Sequence, residues 1–314
     1  MLNNRYQILH QLGEGGSSIT YQAQDLSTSE EVAIKILRWG KIESWKQIEL
    51  FLREAKVLQS LEHPRIPRYI DYFVADTDNN YYQPDVHDAL EKLIEQGREI
   101  DKFYLVQELV KGKNLSDLVQ EGWKPDESEV KRIATQVLNI LIYLQELIPP
   151  ITHRDIKPQN LIRTENGEIF LVDFGGVQDT VRQTTVASSV VGTYGYMSPE
   201  QLRGGKTYLS TDLYGLGASL IYILTSKHPS QLPRKRLKID FHQQVNTSSE
   251  LKSWIDKLIE SHPQNRFPSA QVALDVLQGK TKLTEFNPIL EKPTSRFMEQ
   301  ISDNIAVFTS VRYG

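Results

Sequence analysis

The sequence contains no cysteine in its 314 residues. Disulfide bonds, thiolate metal sites and a cysteine nucleophile are therefore excluded. Long apolar runs are also missing, because the most apolar stretches, LNILIYL and GASLIYIL, are far too short to span a bilayer. The opening residues MLNNRYQILHQLGEGG lack the charged-then-apolar pattern of a signal peptide. We therefore expect a soluble, cytoplasmic globular protein without a membrane segment.

Neither sign of charge is in large excess. Lysine and arginine together number 36 and aspartate and glutamate 40, for a formal net charge of -4. This near balance gives no reason to expect a nucleic-acid partner. The length is sufficient for one large domain or for two packed lobes with a sizeable core.

The two halves of the chain differ in periodicity. Short stretches bounded by glycine or polar turns predict an antiparallel meander in the first half: RYQILHQLG (5–13), SITYQAQDL (18–26) and EEVAIKILR (30–38). The segment ESWKQIELFLREAKVLQSL then has a helical period, and two more strand-like stretches follow at 68–75 and 102–110. The second half is mainly helical, and Ser128 is expected as the N-cap of its helix SEVKRIATQVLNILIYLQEL.

A glycine-rich loop, GEGGSS, occupies residues 13–18. A dinucleotide fingerprint would lead into a helix, and a P-loop would end in Gly-Lys-Ser/Thr, so the strand-like SITYQA that follows disfavours both. Two interpretations stay open. The loop is either an ordinary hairpin turn or a β-hairpin lid whose backbone N–H groups face phosphates.

Lys35 ends the strand-like stretch VAIK, where a lysine is usually a solvated edge residue. A functional lysine needs a carboxylate to orient it. Glu54 lies on the following helix, next to Ala55 and one turn before Leu58, so we expect it to face inward. A partly buried Lys35–Glu54 pair would hold the lysine rigidly against a phosphate.

The order of motifs GEGGSS, VAIK, Glu54, HRDIKPQN (153–160), DFG (173–175) and SPE (198–200) closely resembles the signature of protein kinases. The chain is similar to Hanks-type serine/threonine protein kinases over residues 5–278. FYLVQELVKGKNL, VVGTYGYMSPEQ and TDLYGLG most resemble the bacterial, especially cyanobacterial, branch. The resemblance implies an α+β bilobal fold, with a small antiparallel-sheet N-lobe plus one helix (about 5–108) and a larger, mainly helical C-lobe (about 109–278).

The resemblance also implies catalytic roles. Asp155 would accept or orient the proton of the attacking hydroxyl, and Lys157 would neutralise charge on the transferring phosphoryl group. Asn160 and Asp173 would hold Mg²⁺, for which Mn²⁺ can substitute, between the phosphates of ATP. Lys157 and Thr193 favour serine and threonine hydroxyls as acceptors.

ATP binding is implied at further positions. The glycine-rich loop contributes Gly13, Glu14, Gly15, Gly16, Ser17 and Ser18, and the adenine sandwich contributes Leu12, Thr20, Ala33 and Ile162. Backbone groups of Glu108 and Val110 would form hinge hydrogen bonds, with Gln107 as gatekeeper. Asp212 and the Glu200–Arg266 pair match architectural positions of the family. The chain departs from the family pattern at Ser18, Thr20 and Ser198, and none of these departures removes a charged catalytic group.

Several regions leave alternatives open. The segment 76–101 is longer than the usual connection, and it is either a solvated excursion or a docking site for a partner. The C-terminal extension, 279–314, either packs on the kinase or begins a further domain. A phosphate on Thr184, Thr185, Ser188 or Ser189 would order the segment between DFG and SPE through Arg154. Two rival functions are a pseudokinase scaffold and a small-molecule phosphotransferase of the same fold.

Overall fold

The computed structural model describes residues 1–15, 18–38, 45–83, 99–179, 192–235 and 238–286. The chain divides into two compact units, Met1–Lys280 and Thr281–Gly314. The described residues of the second unit are 281–286, which include a 3₁₀ turn at Leu283–Phe286. The remainder of the predicted C-terminal extension and positions 84–98 of the 76–101 segment lie outside the described residues.

The first half of the larger unit forms a six-stranded sheet with the strand order β1-β2-β3-β6-β4-β5. Every pair of neighbouring strands is antiparallel, which confirms the predicted meander. The strands are β1 Tyr6–Glu14, β2 Ser18–Asp25, β3 Glu30–Arg38, β4 Tyr69–Asp76, β5 Tyr81–Tyr82 and β6 Ile100–Glu108.

One helix, α1 (Trp45–Ser60), packs on this sheet. Its apolar stripe shares a core with side chains of three strands, namely Ile48, Phe51 and Ala55 with Leu37, Tyr72, Val74, Phe103 and Leu105. Burial of this apolar surface fixes the rotation of α1 about its axis. Glu54 is carried on the buried side of the helix with only 2% of its surface exposed.

The second half is helical, as its periodicity predicts. The helices are α2 Leu115–Gln120, α3 Glu127–Glu146, α4 Pro199–Leu202, α5 Thr211–Thr225, α6 Ser249–Leu258 and α7 Ala270–Leu277. The sheet half forms the small lobe of the expected α+β bilobal fold, and these helices form the large lobe.

The prediction of Ser128 as the N-cap of α3 was wrong. The cap is Asp126, whose side chain accepts a hydrogen bond from the N–H of Glu129, and the first helical residue is Glu127. Ser128 lies inside the first turn, where its hydroxyl donates to Asp126 Oδ1 at 2.9 Å. A carboxylate at the cap also interacts favourably with the positive end of the helix dipole.

Short strands place the polar loop 153–160 next to the DFG residues. β8 (Ile151–Thr152) precedes this loop and pairs with β11 (Gln178–Asp179), which follows DFG. β9 (Leu161–Arg163) follows the loop and pairs with both β7 (Lys113–Asn114) and β10 (Ile169–Leu171). The pairing of β8 with β11 and of β9 with β10 therefore brings Asp155, Asn160 and Asp173 to one end of these small sheets.

The central helix α5 is buried around nearly its whole circumference. Two glycines allow other elements to approach it closely. A Cβ atom on Gly215 would lie 2.8 Å from the carbonyl oxygen of Ile156, and one on Gly217 would lie 2.6 Å from Cγ2 of Ile259. Gly215 therefore lets the backbone of α5 pack directly against the loop that carries Asp155, and Gly217 lets it pack against the end of α6.

Across the described part of the chain, none of the helices combines the length and apolar character needed to cross a membrane.

Candidate active site

Lys35 stands between two carboxylates contributed by different elements. Its Nζ lies 2.7 Å from Glu54 Oε2 on α1 and 2.7 Å from Asp173 Oδ1. Burial acts to lower the pKa of Lys35, but the charges of Asp173 and Glu54 more than offset it, so the net pKa lies above its ordinary value. The lysine therefore stays an ammonium ion in a buried site.

Asp173 adopts a left-handed backbone conformation, with φ 66° and ψ 76°. The charge of Lys35 is the main cause that holds the pKa of Asp173 far below its ordinary value, although burial opposes it. The carboxylate is therefore ionised and aimed at the ammonium of Lys35. A non-glycine residue in this conformation is held there by its surroundings, and such strain is common at functional sites.

Asp155, Lys157 and Thr193 form a closed triangle of polar contacts. Lys157 Nζ lies 2.7 Å from Asp155 Oδ2 and donates to Thr193 Oγ1 at 2.8 Å. The Thr193 hydroxyl donates to Asp155 Oδ1 at 2.9 Å. Thr193 thus holds both the acidic and the basic side chain of the loop in place.

Asn160 is tied to the same carboxylate. Its Nδ2 donates to the backbone oxygen of Asp155 at 2.9 Å and to Oδ2 at 3.2 Å. The carbonyl of Asn160 accepts from the N–H of Val172, the residue before Asp173, at 3.0 Å. Both proposed metal ligands are therefore held by the backbone within the same site.

An amide and a carboxylate fit a magnesium ion that takes its other ligands from phosphate and water. No group of three or more His, Cys, Asp or Glu side chains suited to a metal ion occurs among the residues that the structure describes. This donor set is consistent with a divalent ion bound jointly by the chain and by a nucleotide, rather than by a cage of protein ligands.

The backbone of the polar loop 153–160 is held in place by Asp212. Its carboxylate accepts the N–H of His153 and the N–H of Arg154, both at 2.7 Å. Burial raises the pKa of Asp212, while His153 and these two backbone donors act against the rise. Asp212 is 3% exposed and links the start of α5 to the backbone of this loop. The resemblance to protein kinases implies the same structural role for this residue.

Several residues that the sequence predicts to face the nucleotide fall on adjacent strands. Gly13 pairs with Thr20 between β1 and β2, Thr20 pairs with Lys35, and Ala33 pairs with Gln107. The cross-strand pairs place these positions in register along the sheet half of the cleft. Leu12 is 46% exposed, as a side chain at the mouth of an open cleft would be.

The remaining predicted nucleotide contacts are distributed around the hinge and the glycine-rich loop. Gly15 N–H donates to the carbonyl of Ser18 at 2.8 Å, which closes the hairpin beyond Glu14. Ile162 lies on β9, and Val110 follows β6. The N–H of Glu108 donates to the Arg68 carbonyl at 2.9 Å and is therefore already engaged. Gly16 and Ser17 lie outside the described residues.

Glu200 and Arg266 form a bidentate pair, with both N–O distances 2.7 Å. The Arg266 side chain is completely buried, and it also donates to the Ser210 carbonyl at 3.1 Å. Removing one partner of such a pair leaves an uncompensated buried charge, which typically costs about 3–5 kcal/mol. The pair fastens the end of the DFG–SPE segment to the helical lobe.

Two site residues were missed by the sequence interpretation. Arg53 Nη1 donates to the Val177 carbonyl at 3.4 Å, so α1 also contacts the residues that follow DFG. Gln201 donates to the Arg154 carbonyl at 2.7 Å. Periodicity could have placed Arg53 beside Glu49 on an exposed face, but no signal in the sequence pointed to Gln201. The four candidate hydroxyl residues, Thr184, Thr185, Ser188 and Ser189, lie outside the described residues.

The two lobes and the arrangement of Lys35, Glu54, Asp155, Asn160 and Asp173 between them define a protein kinase. Residues 6–277 match the family described as the protein kinase domain, and the chain belongs to this family. The family uses ATP with a divalent metal ion and acts on protein substrates. The predicted resemblance is thereby confirmed.

Curated relatives are bacterial serine/threonine kinases. The chain is 34% identical to serine/threonine-protein kinase B of Synechocystis sp., over 89% of this chain and 47% of that protein. It is 34% identical to PknA of Nostoc sp., over 88% and 48%, and 33% identical to PrkC of Bacillus subtilis, over 73% and 31%. The chain thus spans about half the length of the cyanobacterial relatives it matches.

Proposed function

We propose that this chain is an ATP-dependent serine/threonine protein kinase, which transfers the γ-phosphoryl group to hydroxyl groups of proteins. The observation that carries the proposal is the hydrogen-bonded triangle of Asp155, Lys157 and Thr193, next to an ion-paired Lys35. Phosphoryl transfer depends mostly on positioning and on cancellation of charge, and this arrangement supplies both.

Asp155 orients the acceptor hydroxyl and takes up its proton as the oxygen attacks. Lys157, 2.7 Å from that carboxylate, places a positive charge where the transferred group gains negative charge. Thr193 holds both side chains in one geometry before the substrate arrives. Because these groups are oriented in advance, they do not have to reorient during the reaction, as water molecules would.

Lys35 binds the α- and β-phosphates of ATP, and Glu54 keeps it extended into the cleft. Asn160 and Asp173 would hold Mg²⁺, or Mn²⁺ in its place, and the ion would neutralise phosphate charge. Lys35 and Asp173 are 2.7 Å apart in the described structure. A nucleotide would insert its phosphates and metal at this contact, where the charges it needs are already in place.

The adenine ring is assigned to the cleft formed by Leu12, Thr20, Ala33 and Ile162, with Gln107 at its back. The carbonyl of Glu108 is the backbone group that we assign to the purine, because the N–H of Glu108 is engaged by Arg68. The N–H of Val110 would supply the complementary donor. Backbone groups of Gly13, Glu14, Gly15, Gly16, Ser17 and Ser18 would cover the phosphates.

We assign the kinase domain to residues 5–278, with the lobe boundary near 108–109. The family match over 6–277 and the compact unit Met1–Lys280 support these limits. For the 76–101 segment, a solvated excursion and a docking site for a protein partner stay the two proposed alternatives, and the C-terminal extension, 279–314, is a second candidate docking region.

The rival functions predict different site chemistry. A pseudokinase scaffold could tolerate loss of the charged residues, whereas Lys35, Glu54, Asp155, Asn160 and Asp173 are all present and mutually positioned. A small-molecule phosphotransferase has no need for a segment fastened as this one is by Glu200 and Arg266. Both features support a protein kinase.

The test is transfer of radiolabel from γ-labelled ATP to a generic acceptor protein by the 314-residue chain and by Asp155→Asn. We expect label on phosphoserine or phosphothreonine with the wild type, and loss of about 100-fold or more in the variant. Equal ATP binding by both proteins without any transfer would instead establish the scaffold. Label on a small-molecule alcohol but not on protein would establish the other rival.

A further inference from the structure

The peptide bond between Arg154 and Asp155 follows a strained residue. Arg154 has φ +70°, in the left-handed region. This conformation is unfavourable for a residue with a Cβ atom. It persists only where surrounding contacts hold it. Because Asp155 is the next residue, the orientation of this peptide determines where its carboxylate points.

Both ends of this peptide are hydrogen-bonded. The N–H of Asp155 donates to His153 Nδ1 at 3.3 Å. The carbonyl of Arg154 accepts from Gln201 Nε2 at 2.7 Å. Gly192 packs against the same carbonyl, since a Cβ atom at that position would lie 3.0 Å from the oxygen. A rotation of the peptide would therefore break both hydrogen bonds, of which the one from Gln201 is the shorter.

The amide of Gln201 has one orientation that satisfies its neighbours. Gln201 is 5% exposed, and its Oε1 accepts from Ser198 N–H at 3.1 Å and from Ser198 Oγ at 3.0 Å. Two donors on one side and a carbonyl on the other fix which end of the amide carries oxygen. Ser198 is the N-cap of α4, so the capping box of this helix also aims the donor at the catalytic loop.

We propose that Gln201 is a positioning residue for Asp155, acting through the Arg154 carbonyl. It joins the helix that ends the DFG–SPE segment to the peptide that precedes the catalytic aspartate. This inference rests on the proposed kinase function, because it assigns Asp155 the role of orienting the acceptor. Gln201 touches neither nucleotide nor acceptor, and its effect is on the geometry of the transfer step.

Gln201→Glu separates this role from helix capping. A glutamate at the same position of a capping box also accepts from the N-cap residue, so α4 keeps its cap. What is lost is the N–H donor, and an ionised carboxylate repels the Arg154 carbonyl. We expect kcat to fall about 10-fold or more, because small misplacements of reacting groups have effects of this size. The KM for ATP should stay within about twofold, since a change confined to the transfer step leaves substrate binding intact.

The pH profile supplies a readout that a purely structural role would not move. A protonated glutamate carboxyl can donate to the Arg154 carbonyl as the glutamine amide does. The ratio of variant to wild-type kcat should therefore rise as the pH is lowered from about 8 to about 6. The ionisable groups around this peptide, His153, Arg154, Asp155 and Asp212, and Glu200 beside position 201, are common to both proteins. Gln201→Met, which can never donate, should show the loss of kcat without this recovery.

Gln136→Glu is the matched control. Gln136 on α3 makes the same pair of backbone contacts at the turn between β9 and β10, donating to the Gly167 carbonyl at 3.1 Å and accepting from Ile169 N–H at 2.9 Å. The Gln136→Glu variant should lower the unfolding temperature at least as much as Gln201→Glu, while its kcat should stay within about twofold of the wild type. Wild-type kcat in Gln201→Glu and Gln201→Met would overturn the proposal. An equal loss of kcat in Gln136→Glu, or a pH-independent ratio, would overturn it as well. Absence of transfer by the wild type would instead refute the kinase function itself.

Discussion

Nζ of Lys35 and Oε2 of Glu54 lie 2.7 Å apart, across the space between β3 and α1. The register of the sheet sets the position of the lysine, and the packing of α1 sets that of the glutamate. The ion pair therefore forms only when helix and sheet are docked in this orientation. A change in the position of α1 would therefore alter the position of the Lys35 ammonium, which we propose binds phosphate.

Lys35→Met should abolish most turnover. The variant removes the cation assigned to the α- and β-phosphates, and we expect radiolabel transfer to drop about 100-fold or more. Lys102→Met, on β6 of the same sheet, is the control and should retain wild-type transfer, since Lys102 pairs with its neighbour Asp101 on the surface. Transfer by Lys35→Met within about twofold of the wild type would contradict the role given to Lys35.

Activity should depend on phosphorylation between DFG and SPE. A phosphate carries nearly two negative charges and suits the fork of a guanidinium. Burial lowers the pKa of Arg154, and the positive charge of the nearby Arg53 lowers it further. A phosphate bound here would stabilise the charged form of the Arg154 guanidinium. Intact-mass spectrometry should find phosphates on the wild type and none on Asp155→Asn expressed alone.

The matching variant replaces Thr184, Thr185, Ser188 and Ser189 by alanine. It should lose most of its activity towards an added acceptor while still binding ATP. Full activity of this quadruple variant would show that no such switch operates in this protein.

A peptide library should show no dominant preference for arginine upstream of the acceptor. The positions that would hold such an arginine carry Asn114, which caps α2, and Gln159, which donates to Ser116 Oγ at 3.2 Å. Neither offers a carboxylate. Gln159→Glu introduces one into the catalytic loop and should increase selection for arginine two or three residues before the acceptor. Strong selection for arginine by the wild type would disprove this specificity.

Glu127 should make stability depend on pH. Its carboxylate contacts Lys131 and accepts from both Oγ and N–H of Ser248, joining the start of α3 to the start of α6. The hydrogen bond from Lys131, followed by those from Ser248, lowers the pKa of Glu127 from 4.5 to about 2. Stabilisation by the ionised group is therefore complete above the unfolded-state pKa and is lost as the pH falls towards 2.

Denaturant titrations of Glu127→Gln and wild type test this sign. The variant should unfold at a lower denaturant concentration at about pH 7, and the difference should shrink at about pH 4. Glu165→Gln, on the exposed turn between β9 and β10, should change neither midpoint. A difference that grows on acidification would show that the Glu127 contacts do not stabilise the fold.

The Lys35–Glu54 pair was predictable because it follows from local patterns. A helical period around Ala55 and Leu58 turns Glu54 inward, and alternation along VAIK limits where Lys35 can point. The order β1-β2-β3 within the sheet also followed from the short turns between these three strands. These features depend on residues close together in the chain, which is where periodicity carries information.

The remaining features depend on contacts that no local pattern encodes. Gln201 reaches a carbonyl 47 residues earlier in the chain, and as an uncharged residue after SPE it carries no motif of its own. The cap of α3 was misplaced because Asp126 and Ser128 are both good capping residues, and the choice depends on where the chain enters the helix. Side chains that bond to backbone groups of distant segments become recognisable only once those segments are brought together.

Gly215 shows how closely catalysis depends on shape as well as on charge. Its hydrogen atom occupies the place where a methyl group would press on Ile156, the neighbour of Asp155. An alanine there would act as a wedge, lifting the loop off its supporting helix without altering one ionisable group. A related sequence can thus preserve every charged motif and still be out of alignment for the reaction by the width of a single carbon atom. In sequences that carry complete kinase motifs but lack kinase activity, the residue equivalent to Gly215 should be examined first.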